Sequence, residues 1–130
     1  MIGLDTNVLI RYLTQDDKTQ ATKTNKLIDN ELSTSNPGFI TLISLVEVVW
    51  VLESCYEQRK DTLTDVVYSL LTTKQLLVES ADMAYLALKR YSAGKADFSD
   101  ALIAVISENR GCETVVTFDK KGKSVGMTVM

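Results

Sequence analysis

Short runs of apolar residues alternate along the chain with longer segments in which apolar positions recur at helical spacing. The short runs predict strands, and recurrence about every three or four residues predicts amphipathic helices. The predicted strands cover residues 2–4, 39–42, 76–78 and 114–117, with a further short strand at 127–129. The predicted helices cover residues 16–32, 44–56, 63–71, 81–88 and 97–109, and the last of these is closed by Gly111.

This alternation predicts an α/β fold with a mostly parallel sheet that helices cover on both faces. The 130 residues contain no repeat, low-complexity segment or long linker, so we expect one domain, residues 1–130. No apolar run is long enough to cross a bilayer, and the first residues lack the features of a secretory signal. We therefore expect a cytoplasmic protein with no membrane association.

The residue types present narrow the chemistry. The chain has 14 basic and 17 acidic residues, a net charge of −3, so nucleic-acid binding would need a local basic patch. It contains no histidine, which excludes Ser-His-Asp and Cys-His catalysis and zinc sites with histidine ligands. Cys55 and Cys112 lack the spacing of a metal or redox site. A hydrolase with this composition would rely on carboxylates and a hard metal ion.

Two acidic residues follow predicted strands closely, and each has a structural alternative. Asp5 comes directly after the first strand, where it would otherwise form an Asx turn or cap a helix over residues 6–8. Glu47 lies in the first turn of the helix after the second strand, where Ser44 and Glu47 fit a capping box. Either interpretation places both carboxylates at the carboxyl edge of the sheet, where ligands of such folds bind.

Three further aspartates occur in the C-terminal third of the chain. Asp97 and Asp100 are three residues apart at the start of a predicted helix, so both can face one side of it. Asp97 would otherwise cap this helix, and Asp119, just past the last clear strand, would otherwise be a turn residue. In a parallel sheet these acidic groups converge, and a cation among them would relieve their repulsion. Oxygen ligands without histidine suit Mg²⁺ or Mn²⁺, which predicts metal-dependent phosphodiester hydrolysis.

Basic residues that could bind substrate phosphates are less specific signals. Arg11 follows the first acidic motif, and Lys95 and Lys120 flank the last two. Phosphate binding is a role open to all three, although solvated surface positions are the simpler interpretation.

Three segments of the chain together resemble a known family. They are "LDTNVLIRYL", "SLVEVVWVLE" and "ADFSDALIAVISENRGCETVVTFDKKG", and their order and spacing are similar to those of the PIN domain. More narrowly, they resemble the VapC-like toxins of bacterial type II toxin–antitoxin pairs. The resemblance covers essentially the whole chain. It implies a three-layer α/β/α sandwich, dependence on Mg²⁺ or Mn²⁺, endoribonuclease activity on RNA, a homodimer, and an antitoxin partner that blocks the site.

The same resemblance implies roles for individual residues. Asp5, Asp100 and Asp119 match the carboxylates that would hold the metal ion. Glu47 completes the acidic set and would orient or deprotonate the attacking water, and Asp97 matches an extra carboxylate that many members have. The matching polar positions close to the site are Thr6, Asn7 and Thr117.

Two other functions remain open from the sequence. In a haloacid-dehalogenase-like phosphatase Asp5 would be the nucleophile, but that chemistry resembles D-x-D-x-T, and Asn7 stands where the second aspartate is needed. In a non-catalytic PIN-like binding module the acidic residues would be structural. Each structural cap would then contribute about 1 kcal/mol to stability, which distinguishes the module from a nuclease.

Overall fold

All pairing between strands is parallel in the computed structural model, which describes residues 1–130. Strands β1 (Ile2–Gly3), β2 (Gly38–Ile40) and β3 (Leu76–Val78) form a three-stranded sheet in that order. Strands β4 (Val116–Thr117) and β5 (Thr128–Val129) form a separate pair. The predicted α/β class with a central parallel sheet is confirmed, although most of the strands are shorter than the apolar runs that predict them.

Six α-helices join the strands. They are α1 (Thr6–Thr14), α2 (Lys18–Asn25), α3 (Leu42–Ser54), α4 (Lys60–Thr72), α5 (Ala81–Ala93) and α6 (Phe98–Asn109). A π-helical turn, Lys26–Glu31, extends α2, and a 3₁₀ helix, Lys120–Val125, follows β4. No helix has both the length and the apolar character that crossing a bilayer requires.

Helix α1 is absent from the predicted helices. The polar run of Asp5, Thr6 and Asn7 resembles a turn, which conceals the start of the helix. Its Leu9 and Ile10 side chains are buried in the core, so burial of one face stabilises the helix.

The single helix predicted over residues 16–32 is two segments in the structure. The Asp17 carboxylate accepts a hydrogen bond from the Gln20 N–H at 3.0 Å, so α2 begins directly after this cap. At the other end the Leu32 N–H donates to the Leu27 carbonyl, five residues back, at 2.9 Å. This spacing is that of a π-helix, which closes the segment.

Helix α3 begins earlier than predicted. The Thr41 hydroxyl oxygen accepts a hydrogen bond from the Ser44 N–H at 3.0 Å, so Thr41 is the cap and the helix starts at Leu42. The capping box of Ser44 and Glu47 is therefore wrong, and Glu47 lies in the second turn rather than the first. Its carboxylate is free of helix capping.

Close approach of side chains explains a glycine in the middle strand. Gly38 pairs with Ile2 on one side and Leu76 on the other. A Cβ atom at this position would lie 2.7 Å from the Cδ1 atoms of both Leu4 and Leu32, so only glycine fits without movement. The carboxyl ends of the three parallel strands share one edge of the sheet.

Two buried aromatic residues fix the start of α6 against α5. Tyr91 and Phe98 contact each other edge to face, with ring centroids 5.7 Å apart. The Lys60 ammonium lies 4.5 Å from the centroid of the Tyr91 ring and donates hydrogen bonds to the carbonyls of Tyr91 and Gly94. Because Phe98 is held in the core, the preceding residue, Asp97, has a fixed place at the surface.

Candidate active site

Asp5 lies at the carboxyl end of β1, where helix α1 begins. The Leu4 N–H donates to the Phe39 carbonyl at 2.9 Å, which continues the pairing with β2 up to this residue. Asp5 occupies the N-cap position with extended backbone angles, but its side chain accepts no capping hydrogen bond. The exposed carboxylate therefore has no structural partner. Asp5 occupies the predicted capping position, but its side chain does not cap the helix.

Thr6 and Glu47 join the first turn of α1 to α3. The buried Thr6 hydroxyl donates a hydrogen bond of 2.6 Å to Glu47 Oε1. The two residues are 41 positions apart in the chain, so this contact belongs to the tertiary fold. It places Glu47 beside the residue that follows Asp5 and restrains one of its two carboxylate oxygens.

Asp97 and Asp100 lie together at the start of α6. Asp97 is at the N-cap position, and its side chain again accepts no capping hydrogen bond. Asp100 is half-buried in the first turn. Its pKa is raised above the ordinary aspartate value, first by burial and then by the negative charges of Asp97 and Asp119, against an opposing hydrogen bond with the Asp97 backbone. The negative charges of Asp97 and Asp119 therefore act on the Asp100 carboxyl.

Asp119 follows β4 and begins the 3₁₀ helix. Its carboxylate accepts a hydrogen bond from the Lys121 N–H at 2.9 Å, so the predicted turn role is present. The Asp119 N–H in turn donates to the Thr117 hydroxyl oxygen at 3.1 Å. Thr117 therefore shapes the turn that holds Asp119 at the start of the 3₁₀ helix.

A cleft of about 270 Å³ connects the α3 and α6 parts of the site. Glu47 and Asp97 line it from the two helices, together with Trp50 and Glu53 of α3. Trp50 and Glu53 are absent from the predicted site residues. The signal was present, because residues 47, 50 and 53 follow each other at intervals of three, the spacing of a helix ridge.

The donor set suits a hard divalent cation. Asp5 and Asp97 have carboxylates without capping partners. The pKa of Asp100 is raised first by burial and then by the charges of Asp97 and Asp119, which a cation would offset. In the present side-chain positions no three acidic or cysteine side chains lie close enough to hold one metal ion. The convergence of Asp5, Asp100 and Asp119 on one ion therefore stays a prediction.

The remaining predicted residues, Asn7 and the three basic ones, differ in whether their side chains already have partners. Asn7 and Arg11 line a separate pocket of about 300 Å³. The Arg11 guanidinium already bonds the Asp16 carboxylate at 3.1 Å and the Tyr56 hydroxyl at 3.3 Å, so a phosphate would compete with these groups. Lys95 and Lys120 are exposed and form no ion pair.

Comparison with known proteins shows the family of the chain. The family model of the PIN domain matches residues 2–126. The chain belongs to the PIN-domain family. A curated relative described as a "VapC ribonuclease", from Aquifex aeolicus (strain VF5), is 28% identical over 124 residues, which cover 95% of this chain and 90% of that protein. No solved structure matches the chain.

PIN-domain membership confirms the resemblance drawn from the sequence, including the narrower likeness to VapC proteins. The match spans strands β1 to β4 and every helix, so the acidic residues discussed above all fall within it. The phosphatase alternative is set aside, since it requires a different family and a second aspartate where Asn7 stands.

Proposed function

We propose that this PIN-domain protein is a divalent-metal-dependent endoribonuclease and the toxin of a type II toxin–antitoxin pair. The relative described as a VapC ribonuclease matches over nearly the whole of both chains, which supports the activity. The observation that carries the proposal is the Thr6–Glu47 contact, which holds Glu47 at the start of α1, in the same cleft as Asp97. A chain without histidine has few other groups for phosphodiester hydrolysis.

Asp5, Asp100 and Asp119 would hold the ion, Mg²⁺ or Mn²⁺, and Asp97 would add a further carboxylate. When bound, such an ion lowers the pKa of a water ligand and stabilises charge on the phosphoryl group. The carboxylates supply hard oxygen ligands, which these two ions prefer. The ion would also offset the burial of the Asp100 carboxylate and its repulsion by Asp97 and Asp119, which together raise the pKa of Asp100.

Glu47 is the proposed general base. Its Oε1 atom is occupied by the Thr6 hydroxyl, which leaves Oε2 to accept a proton from the attacking water. The water oxygen would then bond to phosphorus, the bond from phosphorus to the leaving oxygen would break, and the leaving oxygen would take a proton from solvent water. Lys95 and Lys120 are free to bind the flanking phosphates, and Arg11 would do so only by exchanging its present partners.

The proposal includes protein partners as well as RNA. Exposed Ile43 of α3 and Ile103 of α6 line an apolar groove of about 330 Å³ next to Glu47. Apolar surface of this kind is typical of protein contact sites, which supports a homodimer and an antitoxin that covers the site. The proposed setting is the cytoplasm, where RNA and the antitoxin would both be present.

Calorimetric titration with Mn²⁺ tests the metal site together with RNA cleavage. We expect Asp5→Asn to weaken Mn²⁺ binding by about 10-fold or more, and to abolish cleavage, because an amide loses the ligand charge. The matched control is Asp65→Asn, an exposed aspartate on α4 outside the site. Equal Mn²⁺ affinity in the parent protein and Asp5→Asn would contradict the assignment.

A further inference from the structure

We propose that Trp50 and Glu53 form a nucleobase subsite in the cleft beside the carboxylates. Trp50 stacks on one base of the RNA, and Glu53 accepts hydrogen bonds from the edge of that base. The inference rests on the proposed function, because it states how the same site would select its substrate.

The exposure of Trp50 is the first observation. The side chain is 63% exposed, although tryptophan is highly buried in most folded proteins. It lines the same cleft as Glu47 and Asp97, with the buried Phe98 ring as part of the wall. Stacking of a base on an exposed aromatic ring contributes roughly 5- to 150-fold in affinity. The indole is therefore placed to hold a base next to the phosphodiester that the carboxylates would cut.

The charge of the cleft determines which part of a nucleotide enters it. Its lining includes three carboxylates, Glu47, Glu53 and Asp97, and neither lysine nor arginine. Like charge repels a phosphate from such a surface, whereas an uncharged base with N–H donors is attracted. The volume of about 270 Å³ is slightly below the usual range of ligand pockets, which suits one base rather than a segment of a protein partner.

The position of Glu53 then favours particular bases. Glu53 follows Trp50 at i+3 on α3, so the two side chains are neighbours on the helix surface. Glu53 forms no ion pair, so its carboxylate is free to accept hydrogen bonds. Guanine presents N1–H and N2–H₂ side by side, which match the two oxygens of one carboxylate. Uracil presents a single N–H between two carbonyl oxygens, which the carboxylate repels. Both edges are reachable only in unpaired RNA, so the subsite selects single strands with guanine over uracil.

Intrinsic fluorescence tests the stacking directly, because Trp50 is the sole tryptophan of the chain. The 2′-O-methyl trinucleotides UGU and UUU are titrated into the full chain in EDTA, so that neither metal nor cleavage contributes. We expect saturable quenching by UGU, with an affinity about 10-fold or more above that of UUU. Absence of quenching by either trinucleotide would overturn the proposal.

Variants separate stacking from edge recognition, with labelled trinucleotides followed by anisotropy. Trp50→Ala should weaken UGU binding on the order of 10-fold, whereas Tyr68→Ala, which removes an exposed aromatic ring of α4, should leave it unchanged. Glu53→Gln should bring the UGU and UUU affinities close together, because an amide presents both a donor and an acceptor. An unchanged preference in Glu53→Gln would remove Glu53 from the subsite.

The outcomes also separate this inference from the proposed function. RNA cleavage by the parent protein that Trp50→Ala leaves unchanged in rate and sequence preference would reject the subsite while the nuclease stands. Quenching by UGU in a protein without cleavage activity would reject the nuclease while the subsite stands. If Trp50 emission instead shifts to shorter wavelength with protein concentration and without RNA, a second copy of the chain covers the indole, and the subsite is rejected.

Discussion

Aspartates at helix starts in this protein are of two kinds. The carboxylates of Asp17 and Asp119 accept backbone hydrogen bonds at 3.0 and 2.9 Å, whereas those of Asp5 and Asp97 accept none although they occupy the same position. The sequence pattern predicts the position, because aspartate is among the residues favoured at a helix N-cap. It cannot predict which carboxylate is used for capping, since that depends on side-chain rotamer and on neighbouring charge.

Stability measurements distinguish the two kinds. In EDTA, Asp17→Ala should lower the free energy of unfolding by about 1 kcal/mol, because a capping bond is lost. Asp5→Ala and Asp97→Ala should change the free energy of unfolding by less than about 0.5 kcal/mol. Each removes a favourable interaction with the helix dipole but also a repulsion between carboxylates, and the two effects oppose each other. Thermal and denaturant unfolding of the three variants provide the comparison. A loss in Asp5→Ala equal to that in Asp17→Ala would support the non-catalytic module instead.

At the scale of elements, helix starts were harder to predict than helices. Thr41 and Ser44 are both residue types that cap helices. The S-x-x-E pattern favours Ser44. In the structure Thr41 is the cap, because β2 ends at Ile40 and the helix begins directly after Thr41. Apolar periodicity still located α3, α4 and α6 to within about three residues, and it located the start of α5 but not its end at Ala93. What it could not show is the exposure of Trp50, because a stripe of large apolar residues on a helix is usually buried.

One ion pair links three elements around the Asp119 segment. Arg90 of α5 donates from Nη1 and Nη2 to the Oε2 and Oε1 atoms of Glu108 in α6, at 2.6 and 2.9 Å. Its Nη1 atom also donates to the Val125 carbonyl at 3.2 Å, at the end of the 3₁₀ helix that Asp119 begins. The hydrogen bond from Arg90 lowers the pKa of the Glu108 carboxyl below its ordinary value.

The sign of this shift gives a pH-dependent prediction. A lowered pKa in the folded state means that the stabilisation is present above the ordinary pKa and is lost as pH falls through the lowered one. Because the pair is partly exposed, Glu108→Gln should lower the free energy of unfolding by up to about 1 kcal/mol at neutral pH. The difference in stability from the parent protein should shrink as pH falls below about 4. Urea unfolding at a series of pH values measures it.

The chain offers a matched control for that measurement. Lys26 and Glu31 form a single, more exposed contact of 4.0 Å, so Glu31→Gln should leave stability unchanged at every pH. A loss in Glu108→Gln that stays constant with pH would show that packing of the side chain, rather than its charge, is responsible.

For the whole molecule, the site depends on contacts between distant parts of the chain. Thr6, the residue that follows Asp5, meets Glu47 only after α1 and α3 have packed together. Alternation of elements predicts the shared sheet edge. It cannot predict the hydrogen bond from Thr6 to Glu47, because a threonine at a helix start is equally common as a local cap. The division of the strands into two separate pairings was likewise invisible in the sequence.

The Thr6–Glu47 contact provides the prediction that belongs to this scale. Thr6→Val keeps the side-chain shape but removes the donor to Glu47 Oε1. We expect RNA cleavage to fall by about 10- to 100-fold, as when the partner that orients a catalytic ligand is removed, with a stability loss of about 1 kcal/mol. Thr6→Ser, which retains the hydroxyl, should restore most of the activity.

Two comparisons make the loss specific to Glu47. Thr24→Val removes another buried threonine hydroxyl, one that bonds the Ala21 carbonyl within its own helix, and should leave cleavage intact. In a Glu47→Gln background the Thr6→Val change should have little further effect on cleavage, because the two residues act as one unit. Additive losses in the double variant would mean that Thr6 contributes through the fold of α1 alone, and Glu47 would then need another residue to orient it.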